Sequence, residues 1–485
     1  MGPEDNSCAP TPNAAHEEES IEYPTGFKFV VVLFAMCVST IATALPAITT
    51  HFGTIEDVGW YYSAYRWTSF SFQFMFGKLY HLFSIKYVFL ASVATFEIGS
   101  LIAGAAPTSA ALVLGRAVSG VGGAGIISGL FTMVVQSFPL HRRPFFTGIA
   151  AGVEGASGTI APLLGGALTD SISRRWYPQK NTRVDLPWRA KLRGLDLLGT
   201  SVFVPAITSL LLALQWGGSK YGWRNARIIV LIALTVVPLG AFIWKEKKKG
   251  DNALLPGRIM RRCSLLAGMW FSFCNNSTLS VFEYYMPTYF QVVRGTSATA
   301  SGALSLPIAI GVPLAVFCGS SATSLLGYYT PFMIVTGILT LIAAGLLTTL
   351  SLTSFLCYKA LLGIGAGVGF RGPQVAVQTV LSVKDSPIGI AIIIFAQNFG
   401  PALFVSIVQT VFTGQPLARV GSILPNLDAY PLSAMGMTDL EKYGPPADMD
   451  RVIEGYDKAL TTAFFLPVGL ACVSMIGAWG WGGGV

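Results

Sequence analysis

The sequence predicts an all-helical protein that crosses a membrane many times. Of its 485 residues, 52% are hydrophobic and only 12% are charged, whereas soluble domains carry roughly 25% charged residues. A helix needs ~20 mainly apolar residues to span a bilayer, and the stretches 29–50, 295–358 and 389–414 contain no Asp, Glu, Lys or Arg. The basic residues gather in short segments between apolar runs, as they do in the cytosolic loops of membrane proteins.

Charge and short motifs exclude several classes of function. A net charge of +8 would suit a nucleic-acid partner, but its confinement to loops indicates membrane topology and no nucleic-acid binding. The chain has no G-x-x-x-x-G-K-S/T phosphate loop, so ATP-driven transport is unsupported. Neither the cysteines nor the four histidines have the spacing of a metal site. We therefore expect no enzyme activity, no cofactor and no metal.

Apolar runs and helix breakers divide the chain into successive parts. Residues 1–26 form a polar tail that should be cytosolic and disordered. Two helical lobes occupy 27–195 and 261–485, and the segment 196–260 between them holds two linking spans and a basic cytosolic loop. A polar loop at 415–458 should lie outside, because long loops translocate largely regardless of charge. We recognise thirteen spans, at 28–50, 58–80, 87–107, 109–136, 145–168, 197–216, 226–244, 263–289, 299–322, 329–350, 355–380, 387–412 and 459–481.

The charge pattern requires one more crossing than these apolar runs supply. The basic segments 141–143 and 245–262 should both lie in the cytosol. The chain must then cross the membrane once between residues 170 and 196, after span 145–168 and before span 197–216. That stretch contains seven Lys and Arg residues, each costing about 2.5–3.5 kcal/mol at the centre of a membrane helix. The sequence thus predicts that the sixth span is missing and the first lobe incomplete.

Two of the predicted helices combine glycine stripes with a charge inside the membrane. Arg116, Gly120 and Gly123 recur at i, i+4 and i+7 and share one helix face, and Glu154 lies in the middle of the next striped span. Small residues let membrane helices approach closely, and an ionisable group in a span is a functional candidate by default. Glu154 pairs with Arg116, carries a proton, or only faces a cavity; these alternatives stay open here.

Several motifs, taken in order, are similar to those of one transporter family. They are DVGWYYSAYRWT (57–68), GKLYHLFSIKYVFL (77–90), GRAVSGVGGAG (115–125), APLLGGALTD (161–170) and EYYMPTYFQ (283–291). Over roughly 27–480 the chain resembles the major facilitator superfamily, in particular its fourteen-helix drug:proton antiporter branch in fungi, whose members often export toxins and secondary metabolites. The resemblance implies two lobes of six helices that rock around a cavity at the membrane midplane, joined by two extra spans.

The resemblance also implies roles for individual residues. Arg116 is the arginine of the motif linked to proton transfer, and we group Glu154 with it as proton-coupling. A structural arginine that bonds to carbonyls of a neighbouring helix is the alternative for Arg116. The departures from the family pattern include the loop motif after the second helix, where His81 replaces the aspartate and Ile85 replaces the arginine. The structural motif positions are Gly77, Lys86, Gly120, Pro162, Gly165 and Gly166.

Candidate substrate-binding residues lie in the second lobe. Glu283, Tyr284 and Tyr285 begin an aromatic cluster, and rings beside a carboxylate suit a large amphipathic or cationic guest. An aromatic belt at the membrane interface explains the same pattern equally well. Three glutamines inside apolar spans require polar partners in the bundle: Gln374, Gln378 and Gln397.

Together these features predict a secondary active efflux transporter. It would export a hydrophobic or amphipathic organic compound, such as a fungal toxin, secondary metabolite or drug, in exchange for protons. We expect a monomeric, multi-pass protein of the plasma membrane, with a vacuolar or vesicle membrane as the alternative. The competing hypotheses are a facilitator or importer of a small polar solute, and a product that cannot transport because one membrane helix is missing.

Overall fold

The structure is a computed structural model that describes residues 58–149, 196–217, 221–250, 253–296, 298–349, 354–413 and 449–479. The tail 1–26, the predicted span 28–50 and the stretch 170–195 lie outside these residues, as does most of the loop 415–458. The helices, in chain order, are α1 Val58–Ser71, α2 Gln73–Leu82, α3 Ile85–Gly104, α4 Ser109–Ser137, α5 Leu197–Trp216, α6 Ala226–Lys249, α7 Gly257–Met260, α8 Cys263–Val292, α9 Ala298–Ala303, α10 Leu306–Leu326, α11 Thr330–Leu347, α12 Phe355–Val368, α13 Gly372–Val380, α14 Ser386–Thr413 and α15 Met449–Trp479.

Within the described residues, seven helical stretches are long and apolar enough to cross a membrane, and Leu198–Leu214 is a shorter apolar helix. The prediction of a polytopic helical membrane protein is therefore confirmed. The count of thirteen spans is not reached, because several predicted spans lie wholly or partly outside the described residues or do not have the length and hydropathy of a complete span.

Three predicted spans each consist of two consecutive helices. Span 58–80 is interrupted at Phe72, span 299–322 between α9 and α10, and span 355–380 between α12 and α13. The last two breaks precede a proline near the start of the following helix. Proline has no N–H to donate and disfavours helical backbone in the residue before it, which favours a break just before each of these two prolines.

Two helices extend beyond their predicted ends. Helix α6 continues through the basic residues to Lys249 instead of ending at 244, since cations are stabilised at a helix C-terminus. Helix α15 begins at Met449, so the last residues of the predicted loop 415–458 are helical. An i,i+4 ion pair between Glu454 and Lys458, 2.6 Å long, supports that first part of α15.

Glycines bring the helices of the first lobe into backbone contact. A Cβ added at Gly115 would lie 2.8 Å from Cα of Ala103, and one added at Gly122 would lie 2.7 Å from Cα of Phe96. Both distances are shorter than real Cβ contacts, so only glycine permits α3 and α4 to approach this closely. The striped pattern read from the sequence is thus a helix-packing device.

Aromatic and polar contacts hold the second lobe together around α8. Phe282 packs against Phe464 of α15 with ring centres 5.3 Å apart. Thr278 of α8 donates its hydroxyl hydrogen to the carbonyl of Pro467, also in α15, at 3.2 Å. Helix α8 is therefore anchored to α15 by both apolar and polar contacts.

The linking helices α5 and α6 meet at Asp196. Its carboxylate caps α5 by accepting from the backbone N–H of Gly199 at 2.7 Å, and it lies 2.7 Å and 2.8 Å from the ammonium groups of Lys245 and Lys249. Burial by itself would raise the pKa of Asp196, but the hydrogen bonds from the two lysines outweigh it, so the pKa is lower than usual. The basic end of α6 is thereby fixed to the start of α5.

All of the described basic segments lie at one end of the bundle, which we call the basic end. The carbonyl of His141 accepts a 2.6 Å hydrogen bond from Ser324, and Lys78 donates to the carbonyl of Ala253 at 2.6 Å. Asp196 lies at this end as well, through its contact with Lys245. Residue 196 therefore lies at the basic end; the predicted crossing between residues 170 and 196 and the predicted absence of a helix there fall outside the described residues.

Candidate functional site

The two lobes touch each other closely at the basic end. A Cβ added at Gly77 of α2 would lie 2.6 Å from Cβ of Ala391 and 3.2 Å from the carbonyl oxygen of Pro387, both in α14. Any larger residue at position 77 would push the helices apart. The predicted structural position Gly77 is therefore a point of contact between the lobes.

Beside this contact, a charged cluster joins the first lobe, the linking segment and the second lobe. The guanidinium of Arg258 donates two hydrogen bonds to Asp385, at 2.7 Å and 2.8 Å. His81 contacts the carbonyl of Lys384 at 2.6 Å and lies 4.0 Å from Asp385. The hydrogen bonds from Arg258 lower the pKa of Asp385 more than its burial raises it. We call Arg258 and Asp385 the latch.

Of the other predicted motif positions, Gly120 and Lys86 are described. A Cβ added at Gly120 would overlap the carbonyl of Tyr65, so this glycine brings α4 against α1. Lys86 is half-buried, with its ammonium 6.0 Å from the ring centre of its neighbour Tyr87. Three motif positions and one proton-coupling candidate lie outside the described residues: Pro162, Gly165, Gly166 and Glu154.

Arg116 occupies a buried position between α1 and α4. It is 6% exposed, and its guanidinium lies 4.7 Å from the ring centre of Tyr65. Gly120, one turn further along α4, allows α1 to come close enough for this stacking. A cation on an aromatic face is attracted by the ring's quadrupole, more strongly when water is excluded. The arrangement holds a permanent positive charge inside the first lobe.

A second charged group lies where the lobes face each other nearer the middle of the helices. Arg66 of α1 is exposed, and its Nη1 donates to Oδ1 of Asn398 in α14 at 3.3 Å. Glu283 of α8 is exposed as well. The hydrogen bond from Arg66 to Asn398 joins the two lobes at this level of the helices.

The two predicted tyrosines differ in their surroundings. Tyr284 is 58% exposed. Tyr285 is buried, and its hydroxyl donates to the carbonyl of Val405 at 3.1 Å. A substrate would reach Tyr285 only if the core of the second lobe rearranged.

The three predicted glutamines belong to one buried polar group, which we call the glutamine–arginine cluster: Arg371, Gln374, Gln378 and Gln397. Arg371 donates to Oε1 of Gln374 at 3.2 Å, and Nε2 of Gln374 donates to Oε1 of Gln397 at 3.0 Å. The guanidinium of Arg371 also lies 5.0 Å from the ring centre of Phe131 in α4. The cluster thus borders the first lobe.

Sequence reasoning missed a buried lysine in the second lobe. Lys359 is fully buried; its ammonium donates to the carbonyl of Leu304 at 3.0 Å and lies 4.9 Å from the ring centre of Phe290. Its position near the predicted start of span 355–380 made it look like an interfacial residue. The Asp385 partner of Arg258 was missed too, because 127 residues separate the two. In the described parts of the chain, no group of His, Cys, Asp and Glu residues is suited to a metal ion.

Comparison with known proteins supplies the family context. A family model described as Major Facilitator Superfamily matches residues 29–190. The MFS-type efflux pump MFS1 of Trichophyton rubrum is 39% identical over 96% of this chain and 94% of its own length. The MFS-type transporter astH of Aspergillus oryzae is 38% identical over 96% of this chain and 88% of its own. The efflux pump roqT of Penicillium rubens is 38% identical, over 96% and 93%.

Solved structures show a similar fold at low sequence identity. The major facilitator superfamily transporter FucP in the outward conformation has a TM-score of 0.53 and 13% identity, covering 94% of this chain and 99% of its own. A bacterial homologue of the human lysosomal transporter Spinster, inward-facing and occupied, has a TM-score of 0.51 and 16% identity, covering 93% and 96%. The arrangement of helices is common to all three chains.

Proposed function

The chain belongs to the major facilitator superfamily, and we propose that it exports a hydrophobic or amphipathic organic compound in exchange for protons. The family consists of transporters, so the chain is a multi-pass membrane transporter and not an enzyme. Relatives at 38–39% identity are called efflux pumps, which favours export over uptake. The cargo would be a toxin, secondary metabolite or drug, and the protein would act as a monomer in the plasma membrane, with a vacuolar or vesicle membrane as the alternative.

The buried charge of Arg116 is the observation that carries the proposal. A cation held at 4.7 Å from an aromatic ring inside an apolar helix is costly unless the protein uses it. In the proposed cycle Arg116 controls the protonation of a neighbouring carboxylate, for which Glu154 is our candidate, and thereby couples proton entry to substrate exit.

The contact between the lobes supports alternating access. The basic end should face the cytosol; there Gly77 and His81 of the first lobe contact the second lobe, and the latch ties the linking segment to the same place. Opening this end would admit a compound from the cytosol, and closing it would present the compound to the other side. Gly77, Lys86 and Gly120, with Pro162, Gly165 and Gly166, would shape the helices that move.

We place the cargo between the lobes near the Arg66–Asn398 contact, where the surroundings suit an aromatic compound. Phe70 of α1 lies 6.2 Å from Phe395 and 6.3 Å from Phe399, ring centre to ring centre, next to the Arg66–Asn398 contact. Glu283 and Tyr284 would contact the guest from α8, with Tyr285 behind them and Gln374, Gln378 and Gln397 on the neighbouring helices. These rings favour an apolar cargo over a sugar or amino acid, the second candidate.

Efflux from yeast cells that express the chain tests the function. We expect cells loaded with fluorescein or rhodamine 6G to export at least one dye faster than control cells, and an uncoupler to remove the difference. Export that is insensitive to the uncoupler would contradict proton coupling, and proton-linked uptake of a sugar or amino acid would favour the importer.

Absence of all transport would favour the third hypothesis, that a membrane helix is missing. Sequencing the mature transcript then decides: ~20 additional apolar residues after Trp176, enough for one span, would restore the transporter.

A further inference from the structure

The glutamine–arginine cluster forms a polar strip on the side of α13 that borders the first lobe. Arg371, Gln374 and Gln378 recur at i, i+3 and i+7, so they share one face of the helix. All three are buried. Arg371 touches Phe131 of the first lobe, so this face points at the surface along which the two lobes must separate during transport.

The side-chain amide of Gln378 lacks hydrogen bonds to other described residues in this closed arrangement of the lobes. It is 3% exposed, and among the described residues neither its Nε2 nor its Oε1 has a hydrogen-bond partner. Buried amides are nearly always hydrogen-bonded, and an unsatisfied one costs free energy. An orphaned amide one turn from Gln374 therefore points to a ligand that the closed state excludes.

We propose that the glutamine–arginine cluster binds an ionised oxygen of the exported compound, a carboxylate or a phenolate, when the lobes separate at the basic end. This inference rests on the proposed function, since it names the chemical class of its cargo. The substrate would accordingly be an aromatic organic acid, loaded from the side of the basic end.

The donors of the cluster match such a group. A guanidinium offers parallel N–H bonds to the two oxygens of a carboxylate, and hydrogen bonds of this kind are stronger than neutral ones. The amide nitrogens of Gln374 and Gln378 supply further donors on the same helix face. A cationic guest would be repelled by Arg371.

Aromatic rings lie around the same arginine. The ring centres of Phe131 and Phe370 are 5.0 Å and 5.1 Å from the Arg371 guanidinium, one on each lobe. When the lobes part, an aromatic guest can take the place of Phe131 on the guanidinium face while its acidic group engages the N–H groups. Recognition would thus combine stacking with charge.

Two dyes with the same xanthene core and opposite charge test the proposal. Fluorescence anisotropy of the purified full-length chain in detergent micelles would compare fluorescein, an anion, with rhodamine 6G, a cation. We expect fluorescein to bind more tightly than rhodamine 6G. Inorganic phosphate should fail to displace fluorescein; displacement would identify a general anion site and overturn the assignment to an organic acid.

Variants assign the binding to the cluster. Arg371→Gln should weaken fluorescein binding about tenfold or more, the effect of losing a charge-assisted hydrogen bond. Arg371→Lys keeps the charge but not the paired N–H groups and should recover part of the affinity, and Gln378→Leu should cost about threefold to tenfold. Arg224→Gln, at an exposed arginine between the linking helices, is the matched control and should change nothing.

The latch provides an independent readout that does not depend on altering the site. If the cluster loads only when the basic end is open, Asp385→Asn should raise the apparent fluorescein affinity, because it increases the population of the binding-competent state. Preference for rhodamine 6G, no binding of fluorescein, or an Arg371→Gln variant with unchanged affinity would each overturn the proposal.

Transport in yeast separates this proposal from the proposed function. Proton-linked export of rhodamine 6G without fluorescein binding would leave the efflux function standing and remove the acid site. Arg371-dependent binding of fluorescein without proton-linked movement of any dye would support the acid site and contradict the proposed efflux function.

Discussion

Helices α4 and α6 are both apolar enough to cross a membrane, but they occupy opposite environments. In α4, 78% of the membrane-spanning apolar stretch is buried inside the protein, whereas in α6 only 17% of the corresponding stretch is buried. Helix α4 carries glycines on several faces and one buried arginine. Helix α6 presents large side chains such as Val236 and Val237, 62% and 70% exposed, to the surroundings. Hydropathy identifies a span, but small residues and an internal charge identify the span at the centre of the bundle.

The most direct test of this difference in burial is to place the same larger side chain in both helices. Gly122→Val in α4 should destabilise the protein by about 1–3 kcal/mol or more, because even its Cβ would lie 2.7 Å from Cα of Phe96. Gly240→Val in α6 meets no atom within 4 Å and should be neutral. Thermal unfolding in detergent measures both, and equal midpoints would contradict the difference in packing.

A pair of arginines tests whether the proposed role of Arg116 depends on its burial or only on its stacking against a ring. Arg116 lies 4.7 Å from the ring centre of Tyr65, and Arg227, at the start of α6, lies 4.8 Å from that of Tyr221. Arg116→Ala should reduce proton-linked dye export at least about tenfold, as expected for a lost charged interaction, with expression retained. Arg227→Ala is exposed and should export normally; an equal loss in both would show that the stacking alone matters.

Helix α6 should nevertheless be sensitive at its anchor to α5. Asp196→Asn removes the charge that binds Lys245 and Lys249 and should lower stability by about 1–3 kcal/mol. The exposed pair of Glu454 and Lys458 supplies the control, since Glu454→Gln should leave the unfolding midpoint unchanged. Thermal unfolding with unchanged midpoints in both variants would show that the buried pair is dispensable.

The smallest effect is expected at the latch. Arg258 is 49% exposed, so Arg258→Gln should weaken closure by only about 0.5–1 kcal/mol. The measurement is labelling of Ala391→Cys, next to Gly77, by a thiol reagent, which should be faster with Gln than with Arg at position 258. Arg261→Gln, at an exposed neighbour, should leave the rate unchanged; a similar acceleration there would point to overall charge and not to the latch.

In a His81→Gln background, which removes the imidazole 4.0 Å from Asp385, closure by the latch should be insensitive to pH across the physiological range. The pKa of Asp385 is held below its usual 3.8 by Arg258, so the pair contributes fully above that value and is lost as pH falls through the lower folded-state pKa. The labelling rate of Ala391→Cys should therefore be insensitive to Asp385 titration between pH 5 and 8, after correction for the reactivity of the thiol. A steep change there that disappears in Asp385→Asn would contradict this assignment.

Much of the architecture was predictable from sequence because it depends on local composition. Apolar runs located helices such as α5 to within a residue or two, and basic segments predicted which helix ends lie together. The glycine stripe around Gly120 predicted close packing, and Gln374, Gln378 and Gln397 were identified as polar groups that need partners. The apolar runs continue across Pro307 and Pro373, so hydropathy alone does not locate the helix breaks before them.

The sequence by itself determined that the chain is a multi-spanning helical transporter, which of its ends is basic, and which polar residues are unusual inside a span. Only the tertiary structure decided that Arg258 binds Asp385, that Arg371 borders Phe131, and that α4 is central while α6 is peripheral. The reason is that hydropathy measures the free energy of transferring a side chain out of water. That free energy is similar whether the side chain enters lipid or the interior of a protein. Whether a helix then meets lipid or protein depends on partners far away in the chain.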